Sequence, residues 1–410
     1  MKQFNNIILS LFLFLLPTQL GKHFFFDFSY INGIKIDYLS LILYLTDILA
    51  ALLVLINLQN IIPVIARYKK YFLVFIFLLF INFLFSQYRL LSLYHSVKIV
   101  ELILVFIIFT QNIQNKNKYI FLLFIIGGCF ELILSVFQMY TQGSLQGIFY
   151  FFGERYFTLQ QPGIAKASYN GVEFLRAYGT FSHPNSLGGF YLLLYFFFLT
   201  VGNLRKHLLI KYSGLFIFSL LIFLSFSKIV IITYVILNIF YLFKFTDFKC
   251  LFCKFARIIV LFVLAALVLS MQHDPLSGQK RLDLFSHALI ILKNNILFGV
   301  GLGHYLYAEV EFVQKYSYFF LQPVHNIFLL FLSQAGVLLT GFIVFVLYKL
   351  FFHHKSYILN IPSYSLCLIA VTATGMFDHY WITLQQNWLL MGVVFGLIFS
   401  QRSNNVISKF

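Results

Sequence analysis

Long apolar runs separated by short polar breaks recur from one end of this chain to the other. A helix crossing the hydrocarbon of a bilayer needs about 20 mostly apolar residues, with some tilt or shortening allowed. By that yardstick about twelve runs qualify, near 4–20, 37–59, 71–86, 90–110, 119–140, 184–201, 208–225, 228–244, 255–271, 326–349, 357–377 and 384–401. The expected fold is therefore all-α: a polytopic membrane helix bundle of about twelve transmembrane helices, forming a single integral membrane domain over 1–410. Lys2 followed by Ile7–Leu16 could pass for a signal peptide. Pro17-Thr-Gln-Leu-Gly21 offers no small-x-small cleavage site, so the segment is read as an uncleaved first span.

Two polar stretches are much longer than a connector needs, 141–182 and 272–324. Long ordered loops are usually functional. The second should hold an amphipathic helix over about 281–297. Leu282, Phe285, Leu289, Leu292 and Ile296 share one face, and Asp283, His287 and Asn294 the other. Such a helix should lie on the membrane surface or on the bundle. No internal repeat or low-complexity segment interrupts the pattern.

Composition sharpens this picture. The chain is 61% apolar and 10% charged, with a mean hydropathy of +0.88. Soluble domains carry about 25% charged residues. A net charge of +16 would suggest nucleic acid in a soluble chain. Here most Lys and Arg flank the apolar runs, so topology accounts for them and no nucleic-acid partner is expected. With a cytoplasmic N-terminus, the basic clusters Arg67-Tyr-Lys-Lys70, Lys116/Lys118, Arg205-Lys206/Lys211, Lys244/Lys249/Lys254/Arg257 and Lys349/Lys355 all fall inside. Both termini are then cytoplasmic, and both long loops extracytoplasmic. Cys250 and Cys253 form a lone C-x-x-C with no further ligands at metal spacing nearby, so no metal or cofactor is expected.

The polar residues at the outer ends of the spans carry the candidate chemistry. Arg281 opens the amphipathic helix. It reads either as an interfacial arginine on lipid phosphates or as a diphosphate clamp, since a guanidinium grips phosphate oxygens bidentately. Gly299-Val-Gly-Leu-Gly303 lacks the preceding strand of a nucleotide fingerprint and reads as a backbone turn back towards the bundle. Pro323-Val-His325-Asn326 opens a span. His325 is an interfacial polar group or a general base, and Asn326 can hold a hydroxyl or a sugar. Arg176-Ala-Tyr-Gly-Thr-Phe-Ser-His183-Pro-Asn185 closes the first long loop, with Pro184 in a first helical turn capped by Ser182 or His183. Capping does not account for Arg176, His183 and Asn185 together. Lys228 sits at an outer turn, where snorkelling is the plain alternative. Asp378-His379 lies in the last outer turn, where Asp378 either orients a His or Arg partner or is solvated. Inside the spans, Lys98 and Glu101 can pair at i, i+3, and Asp47 and Glu131 pair with other helices or mark a proton path.

In this order the motifs resemble the bacterial O-antigen ligase and polymerase family. Arg176–Asn185 is similar to that family's R-x-x-G-x-F-x-H-P-N entry to a central span, and Ser227-Lys228 to its Ser-Arg pair, with Lys for Arg. Arg281-Leu-Asp-Leu-Phe285 with Leu297–Gly303 resembles the loop signature, with Phe285 where Trp is common. His325-Asn-Ile-Phe-Leu with Gln334-Ala-Gly336 resembles H-N-x-x-L and its following Gly, with Gln334 where an acid is common. By motif the likeness covers about 176–345.

The resemblance implies a glycosyltransferase-C-like membrane enzyme in the bacterial inner membrane. It would move a glycan from a polyprenyl (undecaprenyl) diphosphate donor to an acceptor hydroxyl at the outer face. The acceptor would be a lipid core, a second lipid-linked glycan or another glycoconjugate. The implied machinery is His325 as base and Arg281 as diphosphate clamp. Lys228, Arg176, His183, Asn185, Asn326 and Asp378 would bind substrate. No D-x-D motif and no glycosidase-type carboxylate pair occurs, which points to metal-independent, inverting transfer. The alternative is a transporter or flippase of lipid-linked oligosaccharides, a class expected to show broken helices and repeat symmetry. Neither is visible in the sequence.

Overall fold

The computed structural model describes residues 2–111, 117–246, 251–271, 277–315, 320–352 and 362–400. The Cys250/Cys253 pair lies outside the residues whose side chains are described. The chain is mostly helical. Helices α1 (Lys2–Phe14), α4 (Lys69–Phe85), α5 (Arg89–Gln111), α6 (Asn117–Thr141), α7 (Pro184–Thr200), α8 (Leu208–Leu224), α9 (Lys228–Lys244) and α10 (Leu251–Leu269) follow the expected runs. So do α13 (Ile327–Phe352), α14 (Pro362–Gly375) and α16 (Gln385–Ser400). By length and composition three described helices can cross a membrane, Arg89–Gln111, Lys118–Thr141 and Ile327–Leu350, or four if one bent pair counts as a span. The other apolar helices are shorter. The protein is an integral membrane protein, and the count of twelve stands as an expectation.

Helix α7 is buried along nearly its whole length, between α8, α9, α14 and α16. That is why its sequence is apolar all round rather than striped. Gly188 and Gly189 let Ser225 and Tyr380 approach it; a Cβ at Gly189 would strike the Tyr380 ring. Four polar side chains lock a second seam. Lys98 on α5 pairs with Asp47 on α2 (Leu45–Ile56) at 2.6 Å and with Glu101 at 3.8 Å. Gln385 on α16 donates to both acids. Pairing offsets the cost of charges at this depth, so these residues join helices.

Three expectations need correction. The run at 37–59 is not one straight helix. It is helical only from Leu45, and α3 (Leu58–Arg67) turns away from α2 by 78°. Gln59, Asn60 and Arg67 break the apolar pattern there, and α3 buries only Ile61. Secondly, the fold is not purely helical. Gly21–Phe24 pairs with Leu41–Tyr44, Tyr30–Ile31 with Ile34–Lys35, and Lys166–Tyr169 with Val172–Leu175, all antiparallel. The last two hairpins turn on Asn32-Gly33 and Asn170-Gly171, with positive φ at both positions of each. Asn-Gly suits a two-residue hairpin turn because both positions tolerate that conformation.

Thirdly, a helix is broken. Within α13, Gly336 has φ 71° and ψ 174°. The glycine cluster plugs the break. Val300 N donates to Ser333 O (2.9 Å), Gly301 N to Gln334 O (3.0 Å) and Val337 N to Ile296 O (2.9 Å). Asn82 of α4 clamps both sides, donating to Phe298 O and Gln334 O at 3.0 Å each and accepting from Leu302 N at 2.9 Å. Gln334 Oε1 accepts from Gly303 N at 2.8 Å, a task a carboxylate would share. Backbone groups freed by the break are thus paired with protein, as they must be away from water.

The amphipathic helix is α11 (Ser277–Asn294), and its apolar face points outward. Leu282, Phe285 and Leu289 are exposed, as suits a lipid-facing surface. Its other side packs inward through Leu284, Ala288 and Ile291, and beside them His287 bonds buried Glu309 at 2.7 Å and stacks on Phe312. The connections carrying Pro17, Phe28, Tyr88, Thr180, Ser225, His304, Tyr307 and Asp378 are linked by hydrogen bonds at one end of the bundle. This end is called the site face below.

A Cβ at Gly336 would strike the Leu297 carbonyl in a conformation open essentially to glycine alone, whereas Gly341 has free space around it. Gly336→Ala is expected to cost about 3 kcal/mol or more, read as a lower Tm in detergent. Gly341→Ala should leave Tm unchanged or higher. Equal Tm values for the two variants would contradict the packing described.

Candidate active site

The site is built around one turn. Helix α14 ends at Gly375, and four residues separate it from the short α15 (Tyr380–Thr383). Phe377 N bonds Thr374 O, and the indole of fully buried Trp381 donates to Thr374 Oγ1 at 2.9 Å, so the turn is anchored from below. Around it gather side chains far apart in sequence. Arg281 Nη1 donates to Phe377 O at 3.1 Å, and Asn326 Nδ2 to Met376 O at 3.3 Å. Asp378 Oδ2 accepts from Asn185 Nδ2 at 2.7 Å. Its Oδ1 accepts from His379 N at 2.8 Å and faces His325 Nδ1 at 3.5 Å. Asn185 Oδ1 in turn accepts from Arg176 Nη2 at 2.6 Å, while Arg176 Nε donates to Ser225 O at 2.9 Å. His183 caps α7, its Nδ1 accepting from Asn185 N at 3.1 Å.

Seven of the eight residues singled out in the sequence therefore lie at this turn or within two hydrogen bonds of it. Lys228 is the eighth. It lies half-buried at the start of α9, three residues past the carbonyl that Arg176 binds, and makes no hydrogen bond or ion pair among the described residues. Asn326 is placed differently from the expectation. Its Oδ1 accepts from Leu329 N at 3.0 Å, so its amide caps α13 and ties it to the turn.

The loop that delivers Arg176 is held by buried acids of α6 and its neighbour. Glu131 accepts from Thr180 Oγ1 at 2.6 Å and Thr180 N at 2.9 Å. Gln138 accepts from Gly179 N and donates to Glu154. Gly179, with φ 58°, leaves no room for a Cβ against the Glu131 carboxylate, which accounts for the glycine of that motif. Glu131 is thus a loop anchor.

Three residues join the site that the sequence did not single out for it. The His379 ring lies 5.0 Å from that of His325, with Nδ1 bonded to Thr383 Oγ1 at 2.8 Å. Tyr38, from the first loop, meets His379 edge-on at 5.9 Å. Arg155 lies over the Tyr178 ring at 5.4 Å and close enough to Tyr38 to act on its phenol. His379 was legible as the neighbour of Asp378; Tyr38 and Arg155 sit in no motif.

The electrostatics follow from burial and crowding. Burial alone would raise the Asp378 carboxyl, but the His325 imidazole facing it outweighs that and holds Asp378 well below the usual carboxylate range. Burial and neighbouring cations push His183 and His379 each down to about 3, so both are neutral at pH 7. Burial lowers Arg176 to about 10, which leaves it charged. Burial and the Asp378 charge push the Tyr38 phenol up to about 12. His325 Nδ1 faces a carboxylate, an arrangement that favours the proton on Nδ1 and a free lone pair on Nε2. Atoms of His325, Asp378 and His379 lie within 4.8 Å of one another, a spacing three ligands of one ion could adopt. Both oxygens of Asp378 are already hydrogen-bonded, which suits a residue that orients His325 better than a ligand.

These shifts predict acid lability. Above pH 6.5 the unfolded chain and the folded site both keep the two imidazoles neutral, and their stability contribution is complete. Below it the unfolded chain binds protons that the folded site refuses, down to about pH 3. Stability should fall by up to about 1.4 kcal/mol per pH unit for each imidazole. The depressed Asp378 acts in the same direction below about pH 4. Tm in detergent should drop from pH 6.5 to 4.5, and less steeply in a His183→Gln/His379→Gln variant. A flat profile, or equal slopes, would contradict the assignment.

Residues 213–346 match the model of a protein family described as O-Antigen ligase. The matched stretch is roughly a third of the chain. It includes Lys228, Arg281, the glycine cluster, His325 and Gly336, and excludes Arg176–Asn185 and Asp378. No curated protein matches the chain. Over this stretch, and not over the chain as a whole, the protein is similar to the O-antigen ligase family.

Proposed function

We propose that the protein is a glycosyltransferase that moves a glycan from a polyprenyl diphosphate to an acceptor hydroxyl at the outer face of the bacterial inner membrane. The observation that carries this reading is the gathering of Arg281, Arg176 and the His325–Asp378 pair around one turn of a membrane protein whose residues 213–346 match the O-antigen ligase model. His325 Nε2 takes the proton of the acceptor hydroxyl as its oxygen attacks the anomeric carbon. The bond from that carbon to the diphosphate oxygen breaks, and its electron pair leaves with the diphosphate. Charge growing on the leaving group needs cations, which Arg281 and Lys228 supply. Buried Arg176, with two donors spent on protein, steadies Asn185 and adds field. Asp378 holds His325 in the right tautomer and stabilises the imidazolium that forms. Neutral His379 beside it adds no repelling charge. A single displacement of this kind inverts the anomeric centre and needs no metal.

A transporter of lipid-linked sugars would share the spans and the outer basic site. The break in α13 is the feature such a reading could claim. It is filled by the glycine turn and Asn82, so its backbone groups bind protein and are not offered to a substrate.

His325→Ala should lower transfer by about a hundredfold to ten-thousandfold. Arg281→Ala should lower it by about a hundredfold to a thousandfold. Both variants should still insert in the membrane. Normal transfer by both purified variants would sink the assignment. Activity should also persist in EDTA, and a loss restored by Mg²⁺ would rule out the metal-free step.

A further inference from the structure

The end of the bundle opposite the site holds a second recess, between the far ends of α7, α8, α9 and α10. It has a volume of about 780 Å³. Leu199, Leu215, Leu242 and Leu261 give it apolar walls, and Lys211 and Arg257 stand at it with Tyr212 and Thr246. From Lys211 to Ser225, on the site face, α8 rises about 20 Å, so the recess is separate from the site.

The sequence that leads into it is one-sided in charge. Segments 205–211 and 244–257 carry seven basic residues against one acid, Asp247. The helix surfaces beside it are apolar and open: Phe216, Ile236, Phe243, Ile259 and Phe262 are all exposed, as residues bathed in acyl chains would be. The recess thus continues a lipid-facing surface and ends in cations and a tyrosine at membrane-boundary depth. Water-soluble anions have no use for its leucine walls, and a neutral lipid has no use for its cations. Basic recesses between membrane helices on the cytoplasmic side suit phospholipid headgroups.

We propose that this recess is a binding site for an anionic phospholipid, its phosphate between Lys211 and Arg257 and an acyl chain along the leucines. The lipid would tie α10, which packs chiefly on α9, to α7 and α8. The site is independent of glycosyl transfer.

Native mass spectrometry of the full-length protein in detergent tests this, with dioleoyl phosphatidylglycerol and dioleoyl phosphatidylcholine titrated separately. Wild type should prefer phosphatidylglycerol by roughly tenfold. Lys211→Gln/Arg257→Gln should lose the preference, whereas Lys69→Gln/Lys118→Gln, equally basic but outside the recess, should keep it. Leu242→Trp, which fills the recess and leaves its charge intact, should also weaken phosphatidylglycerol binding. Glycerol phosphate should not displace the lipid. Equal binding of the two lipids by wild type would overturn the proposal. So would a preference that survives in both recess variants, or full displacement by glycerol phosphate.

Discussion

The hydrogen bond from Asn185 to Asp378 is the contact on which the site depends. It joins the N-terminus of the most buried helix to the turn between the last two long ones. Through Asn185 it reaches Arg176 and the Ser225 carbonyl; through Asp378 it reaches His325 and His379. An ionised carboxylate so deeply buried persists only because donors and imidazoles surround it. Removing it would leave Arg176 and the histidines without the negative charge they were arranged around. Neither partner could be placed so well from a mobile loop, which is why Glu131, Gln138 and Glu154 fasten the segment leading to Arg176.

A second constraint is geometric. Gly299, Gly301 and Gly303 all have positive φ, and Gly336 faces them across the break in α13. Two stretches that stand apart in the sequence are thus one packed unit. It fixes the chain between Arg281 and His325 at its middle, so the two ends of that loop can meet at the turn. Asn82 makes three of the hydrogen bonds that close the unit, from a helix outside the matched family region.

Much of this was legible in the chain. Apolar runs located most helices to within a few residues, because a segment in lipid must satisfy its own backbone. Residues at the ends of those runs supplied seven members of the site, since an ionisable group beside lipid is costly and needs a reason. What escaped has physical causes. Apolarity does not reveal a bend, so the 78° turn after Ile56 and the break at Gly336 were hidden, although Gly336 itself was in view. The Asn-Gly turns at 32–33 and 170–171 are local signals that the length of apolar runs does not register. Tyr38 and Arg155 belong to loops whose course depends on tertiary contacts. The inward placement of His287 on α11 likewise depends on its tertiary partner Glu309.

On the proposed function, the arrangement would pair cations for a leaving diphosphate with an oriented imidazole for an incoming hydroxyl. The two would be held together by one buried carboxylate, in a chain whose residues 213–346 match the O-antigen ligase model. The most direct test follows both halves of the donor. Purified protein in vesicles is given a polyprenyl diphosphate-linked oligosaccharide, and lipid and glycan are traced separately. The account predicts that glycan leaves its lipid and appears on an acceptor while free polyprenyl diphosphate accumulates in equal amount. Intact donor moving to the opposite leaflet, with no free polyprenyl diphosphate, would contradict it.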